Sequence, residues 1–247
     1  MNRFENKLVL IVGVTSGIGL ATARRFANEG ARIVGIGRDA ERLQHALNSL
    51  EGSEHHAIVA DISDESQLSL IIKYGKEQGG YDGGVCCAGL HEIRPVSLLK
   101  TENLLAGFSA NVVSAVNTTK ALSKAVSPYG AGIVWLSSVA ANRGTAGFTS
   151  YACSKGALIS AVRVAAVELV KKKIRVNVVV AGVVETPMSA GWLKLLSQEQ
   201  QDEIAANHLL GIGKPEEVAD AIAFLVSSDA RWITGTSLVV DGGLSAW

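Results

Sequence analysis

Short unbroken apolar runs alternate along this chain with longer stretches in which apolar residues recur every third or fourth position. The runs are Lys7 to Val12, Arg32 to Ile36, Ala57 to Ala60, Gly83 to Cys87, Gly132 to Ser137, Ile174 to Val180 and Ser237 to Val240. Each reads as a strand, and the first, continuously apolar, as one covered on both faces in a parallel sheet. Helical spacing follows the first run through Leu20, Ala23 and Ala27, and recurs over 40–50, 101–126, from Ser150 to Lys171-Lys172-Lys173, and over 215–226. Pro215, Glu216 and Glu217 suit the first turn of the last helix. Strands and helices in alternation over short connections predict an α/β fold: a doubly wound, mainly parallel sheet of about seven strands, helices on both faces and right-handed crossovers. With no repeat, low-complexity stretch or linker, one domain is expected over 1–247. The glycine-flanked segment 187–210, with Trp192, Leu193, Leu195 and Leu196, reads as a substrate lid or as an ordinary packed helix.

Ligands in such sheets gather at the carboxyl ends of the strands. The first strand ends in Gly13-Val14-Thr15-Ser16-Gly17-Ile18-Gly19 and leads into a helix. Glycines there let the backbone approach a pyrophosphate, and free N–H groups at the helix start favour its charge; a tight connection alone would also use glycine. At the end of the second strand Arg38 suits a ribose 2′-phosphate, which favours NADP(H) over NAD(H). Asp39 is either the acid that would read a 2′-hydroxyl or the cap of the next helix. Asp61-Ile62 ends the third strand, as an adenine contact or a helix cap, and Ala88-Gly89 after the fourth is small enough for a cofactor to lie across.

The stretch from Ser137 to Lys155 closes the fifth strand and enters a helix. Tyr151 and Lys155, four apart, share a helical face. A cation about 4 Å from a phenol favours the phenolate by about 4 kcal/mol at an effective dielectric near 20, so Lys155 is expected to draw the Tyr151 pKa down toward the range of an acid–base catalyst. Ser138 is placed to hold a substrate oxygen. A solvated helix pair is the plain alternative. Asn111, poor in a helix interior by propensity, is expected either to use its amide or to face solvent. His91, Asn142, Phe148, Val183 and Trp192 are candidate pocket residues.

The 247 residues are 48% hydrophobic, and 23 acidic balance 23 basic side chains. Zero formal charge offers no field for nucleic acid or an anionic membrane. No apolar run is long enough to span a bilayer, and the N-terminus lacks a signal-peptide pattern, so a cytoplasmic location is expected. Cys86, Cys87 and Cys153 are odd in number and not spaced as zinc ligands, which predicts reduced thiols and no metal, with burial the expected role of the adjacent Cys86 and Cys87.

Taken in order, Gly13-x-x-x-Gly17-Ile18-Gly19, Asp61, Ala88-Gly89, Asn111, Ser137-Ser138, Tyr151-Ala-Cys-Ser-Lys155, Asn177 with Ala181-Gly182, Thr186, and Thr234-Gly235 through Asp241-Gly242-Gly243 resemble the short-chain dehydrogenase/reductase family, closest to 3-oxoacyl-carrier-protein-reductase-like members. The resemblance covers nearly the whole chain and implies a Rossmann-like fold. It implies that Tyr151 is the general acid for reduction or base for oxidation, that Ser138 holds the carbonyl oxygen, and that Lys155 binds the nicotinamide ribose. Asn111 would hold a water that passes protons to Lys155, and Thr186 would touch the carboxamide. A homotetramer is implied, with the Asn111 and Tyr151 helices and the C-terminal segment at interfaces. Val12, Cys86-Cys87 and Ala181 depart from the family's usual threonine, asparagine pair and proline. The turn Pro128-Tyr129-Gly130 lacks a basic residue, which weakens an acyl-carrier substrate and leaves a small ketone, sugar, polyketide-like compound or acyl thioester. The expected activity is NADP(H)-dependent interconversion of a carbonyl and a secondary alcohol; a non-catalytic dinucleotide-binding sensor or structural subunit is the alternative.

Overall fold

In a computed structural model residues 2–246 are described; Met1 and Trp247, the two ends of the expected 1–247 unit, lie outside the described residues. Seven strands form one parallel sheet: β1 Leu8–Val12, β2 Arg32–Gly37, β3 His56–Val59, β4 Gly83–Cys86, β5 Ala131–Ser138, β6 Ile174–Ala181 and β7 Ser237–Val240. Their spatial order is β3-β2-β1-β4-β5-β6-β7, so the winding reverses between β1 and β4. A ligand crevice forms at the carboxyl ends where such a reversal occurs.

The period of two along each strand divides the core. Leu8, Leu10 and Val12 of β1 with Val176, Val178 and Val180 of β6 face one apolar layer, while Val9, Ile11 and Val179 face the other. The first layer is closed by α3 (Leu68–Glu77), α5 (Ser114–Lys124) and α6 (Thr149–Leu169); the second by α1 (Gly17–Asn28), α2 (Ala40–Asn48) and α9 (Pro215–Val226). Burial of each large aliphatic side chain on these faces stabilises the fold by about 1.5–3 kcal/mol. Buried polar atoms are bonded: Trp135 Nε1 donates to Thr119 Oγ1 at 2.9 Å and the Tyr81 hydroxyl to the Ile71 carbonyl at 2.8 Å.

Two expectations need correction. The helix expected over 101–126 is α4 (Thr101–Phe108), a π-helical turn at Ser109–Val113, and α5. The wider turn is centred on Asn111, whose amide bonds outside the helix. The strand expected to reach Cys87 ends at Cys86, although the Cys87 N–H still donates to the Val12 carbonyl at 2.9 Å. The segment 187–210 contains α7 (Pro187–Leu193) and α8 (Gln198–Ala206), both opened by capping boxes, from Thr186 and Ser197.

Candidate active site

Tyr151, Ser154 and Lys155 lie on the first turns of α6, three and four positions apart, facing the end of β5. Ser137 Oγ donates to the Lys155 carbonyl at 2.8 Å and so docks helix to strand. Lys155 is buried, and its Nζ donates to the Leu136 carbonyl at 2.7 Å. Ser138, on the neighbouring strand position, accepts the Ala140 N–H at 3.2 Å, and its hydroxyl acts on the Tyr151 phenol.

Asn111 is buried, and three of the four hydrogen-bonding positions of its amide are engaged. Oδ1 accepts the Leu90 N–H at 2.7 Å, while Nδ2 donates to the Leu90 carbonyl at 3.1 Å and to Ser154 Oγ at 2.7 Å. Ser154 in turn donates to the Tyr151 carbonyl at 2.8 Å. The π turn thus ties the loop after β4 to the Tyr151 helix. Gly89 stands between them: a Cβ there would lie 3.0 Å from Asn111 Oδ1 and 3.4 Å from Lys155 Nζ.

The electrostatics differ from expectation at Tyr151. Burial pushes its pKa above the ordinary value, and the neighbouring Ser138 hydroxyl pulls against that shift. Lys155 was expected to supply the downward pull, yet its Nζ lies 5.6 Å from the Tyr151 ring centroid and is turned to a backbone carbonyl. Burial also lowers the Lys155 pKa to about 8, which weakens it as a fixed cation.

The glycine turn lies across the crevice. Gly13 has φ +81°, and a Cβ on it would be 2.6 Å from the Ala88 nitrogen, so only glycine lets β1 and β4 release the chain side by side. Gly19 touches the Gly13 carbonyl, Thr15 faces Gly37 at the end of β2, and Gly17 faces the Thr186 methyl. Ile18 packs on the core beneath the turn. Ser16 is extended, makes no side-chain cap on α1, and the first turn of α1 has no acid. The other long helices with a dedicated N-terminal side chain include α2, capped by Asp39 through the Arg42 N–H at 3.0 Å. An uncapped twelve-residue helix behind a glycine turn fits a dinucleotide pyrophosphate.

Asp39 is therefore a helix cap, and Arg38 beside it is exposed with no carboxylate partner among the described residues. Asp61 closes its own turn, accepting from the Ser63 N–H and hydroxyl at 2.9 and 2.7 Å, and these bonds hold its pKa low. Ile62 is buried, and its carbonyl accepts from Asn117. Thr186 Oγ1 accepts the Ser189 N–H at 3.1 Å as the cap of α7.

Three of the candidate pocket residues meet at Tyr151. The His91 ring stands edge-on to Tyr151 and Phe148, with centroids 4.7 and 4.6 Å away, and Trp192 of α7 lies 6.0 Å from His91 and 5.9 Å from Phe148. Burial first, then Lys155, lowers the His91 pKa. Asn142 is exposed beyond β5, and Val183 hydrogen-bonds His208 through its N–H; neither joins the aromatic group. Ser154 and the Leu136 carbonyl were not singled out in the sequence. Ser154 carried a faint signal, three positions after Tyr151, whereas a carbonyl has none.

Residues 13–245 match the profile of a family described as enoyl-(acyl carrier protein) reductase. A solved structure titled short chain dehydrogenase/reductase family protein superposes with a TM-score of 0.86 at 31% identity, covering 99% of this chain and 100% of that one. The chain belongs to the short-chain dehydrogenase/reductase family. It is similar to the glucose 1-dehydrogenase of Gluconobacter oxydans, 34% identical over 100% of this chain and 94% of the relative. The 3-oxoacyl-acyl-carrier-protein reductase of Thermotoga maritima is also 34% identical, over 98% and 99%. The human (3R)-3-hydroxyacyl-CoA dehydrogenase is 31% identical over 98% and 97%. As a short-chain dehydrogenase/reductase the protein is an oxidoreductase enzyme, of a family that works with nicotinamide dinucleotides, and the sensor or structural-subunit alternative is set aside. Among the described residues no helix is long and apolar enough to cross a membrane.

Proposed function

We propose that this short-chain dehydrogenase/reductase interconverts a small ketone and its secondary alcohol with NADP(H), Tyr151 giving or taking the proton. The observation that carries this reading is the meeting of Tyr151, Ser138, Lys155 and Asn111 at the carboxyl end of β5, beside an apolar aromatic wall. The dinucleotide supplies or accepts the hydride when bound. Ser138 holds the substrate oxygen, and Tyr151, protonated at neutral pH because burial raises its pKa, donates to that oxygen during reduction. Oxidation uses the phenolate, so its rate rises with pH. Lys155 holds the nicotinamide ribose, and Asn111 fixes the loop on which the site is built and supports a water that relays protons to Lys155.

Gly13, Thr15, Ser16, Gly17, Ile18 and Gly19 hold the pyrophosphate, Asp61 and Ile62 border the adenine, Ala88 and Gly89 the ribose, and Thr186 the carboxamide. Arg38 favours the 2′-phosphate of NADP(H), because the neighbouring acid Asp39 is already used as a cap. The substrate is a 3-oxoacyl thioester or another small ketone, in keeping with the names of the relatives. We read residues 1–247 as one cytoplasmic domain with its lid at 187–210, assembled as a homotetramer. Exposed Val113 and Val116 near Asn111, Val164 and Val167 on α6 with Val170 just after it, and Trp232 before β7 support that assembly.

The test is Tyr151→Phe. Its kcat should fall by at least about a hundredfold while NADPH still binds, and more tightly than NADH. Retention of most of the activity would discard Tyr151 as the proton donor.

A further inference from the structure

One polar atom in the aromatic wall has nothing to bond. His91 Nε2 is fully shielded and is the only such buried side-chain nitrogen or oxygen without a partner among the described residues. Elsewhere the fold satisfies even its buried ring nitrogens: His208 Nδ1 reaches the Ile204 carbonyl at 2.7 Å and its Nε2 takes the Val183 N–H at 3.2 Å. The exception lies 4.7 Å, ring to ring, from Tyr151, with Phe148 on one side and the lid residue Trp192 on another.

We infer that His91 is a substrate-binding residue, its Nε2 hydrogen-bonding a second oxygen carried close to the reacting carbonyl while Phe148 and Trp192 pack the carbon frame between them. This deepens the carbonyl-reductase reading and rests on it. The imidazole is kept neutral by its burial and by the nearby Lys155. A neutral ring nitrogen donates or accepts according to its tautomer, so it pairs with a hydroxyl or a carbonyl oxygen and has no charge with which to hold an anion. The class selected is an uncharged ketone oxygenated next to its reacting carbon. Plain ketones of the same shape leave the nitrogen unpaired and are selected against. Because Nε2 is shielded, a substrate reaches it only once a neighbouring side chain moves aside; Trp192, next to the ring and on α7, is the neighbour that links this recognition to the lid.

The experiment compares 2-hydroxycyclohexanone with cyclohexanone, each with NADPH, in wild type, His91→Phe and His91→Gln. Wild type should favour the hydroxyketone in kcat/KM by at least about tenfold. His91→Phe, which keeps a ring and drops the nitrogen, should bring the ratio near unity, chiefly through KM, and His91→Gln should recover part of it. Thermal unfolding separates this from a structural role: removal of an unbonded buried nitrogen should leave Tm equal or higher. A preserved ratio in His91→Phe, or a lowered Tm with both substrates losing equally, would overturn the assignment. If wild type reduces neither ketone, the reductase reading fails for this class, and calorimetry with trans-1,2-cyclohexanediol and cyclohexanol on the NADPH-loaded protein decides His91 separately. Tighter diol binding that vanishes in His91→Phe supports it; no preference in wild type, or one that survives the substitution, defeats it.

Discussion

Lys155 shows how one side chain sets the pH behaviour of the site. Its amine is buried and its pKa is pushed down from 10.5 to about 8, so between those values the folded chain binds fewer protons than the unfolded chain. Stability from this group therefore rises with pH through that window; the cost of burying the ammonium is complete below the folded pKa and gone above the unfolded one. A shift of this size corresponds to about 3 kcal/mol. Urea unfolding of Lys155→Met beside wild type should show the gap between them moving in favour of wild type by about that amount from pH 7 to pH 10.5. A gap that stays constant would mean that the amine is not desolvated. Cys86 and Cys87, whose burial raises their thiol pKa values, add an opposite trend in both proteins, and because Lys155 lowers both thiols its removal enlarges that trend in the variant. At this scale the residue types in the Tyr151 stretch were legible from spacing, but the balance of forces on them was not. The direction of the Tyr151 shift follows from burial beside His91 and Phe148, which are distant in the chain or hidden by a turn.

Among the elements, the π turn at Ser109–Val113 does what an unbroken α-helix could not. It turns the Asn111 amide to meet both backbone groups of Leu90 and the hydroxyl of Ser154. Asn111→Ala would take away the partners of the part-buried Leu90 backbone groups, at a cost of about 1–2 kcal/mol, and should speed hydrogen exchange at the Leu90 amide. Unchanged protection of that amide would show that the loop is held by something else. Regular helical spacing on both sides of Asn111 concealed the turn, since one extra residue in a helix leaves the periodicity almost untouched. The seven strands, in contrast, were read within about a residue of their ends, because inner parallel strands, covered on both faces, require mainly apolar runs, and the half-exposed edge strands β3 and β7 are short apolar segments bounded by turns. Asp39 had two local explanations, and the structure chose the cap.

For the molecule as a whole, α5 and α6 present a set of apolar side chains to solvent. Val116 is 45% exposed and Val167 is 76% exposed, with Val164 one turn before it on α6 and Val170 in the short turn that follows the helix. Exposed valines spaced along one helix face offer apolar surface of the kind that association between chains buries. If the homotetramer forms through it, Val167→Glu should lower the molecular mass seen by sedimentation, since a charge buried without a partner opposes assembly. An unchanged assembly would move the interface to another face. The parallel order of the strands, and with it the crevice between β1 and β4, was inherent in the alternation of short apolar runs with amphipathic stretches and in the glycines that follow the first run. These are properties of neighbours in sequence. The proton balance of Tyr151 and Lys155, the clamp at Leu90 and the unpaired nitrogen of His91 arise where groups from separate strands and loops exclude water together, and desolvation has no value until the chain has packed.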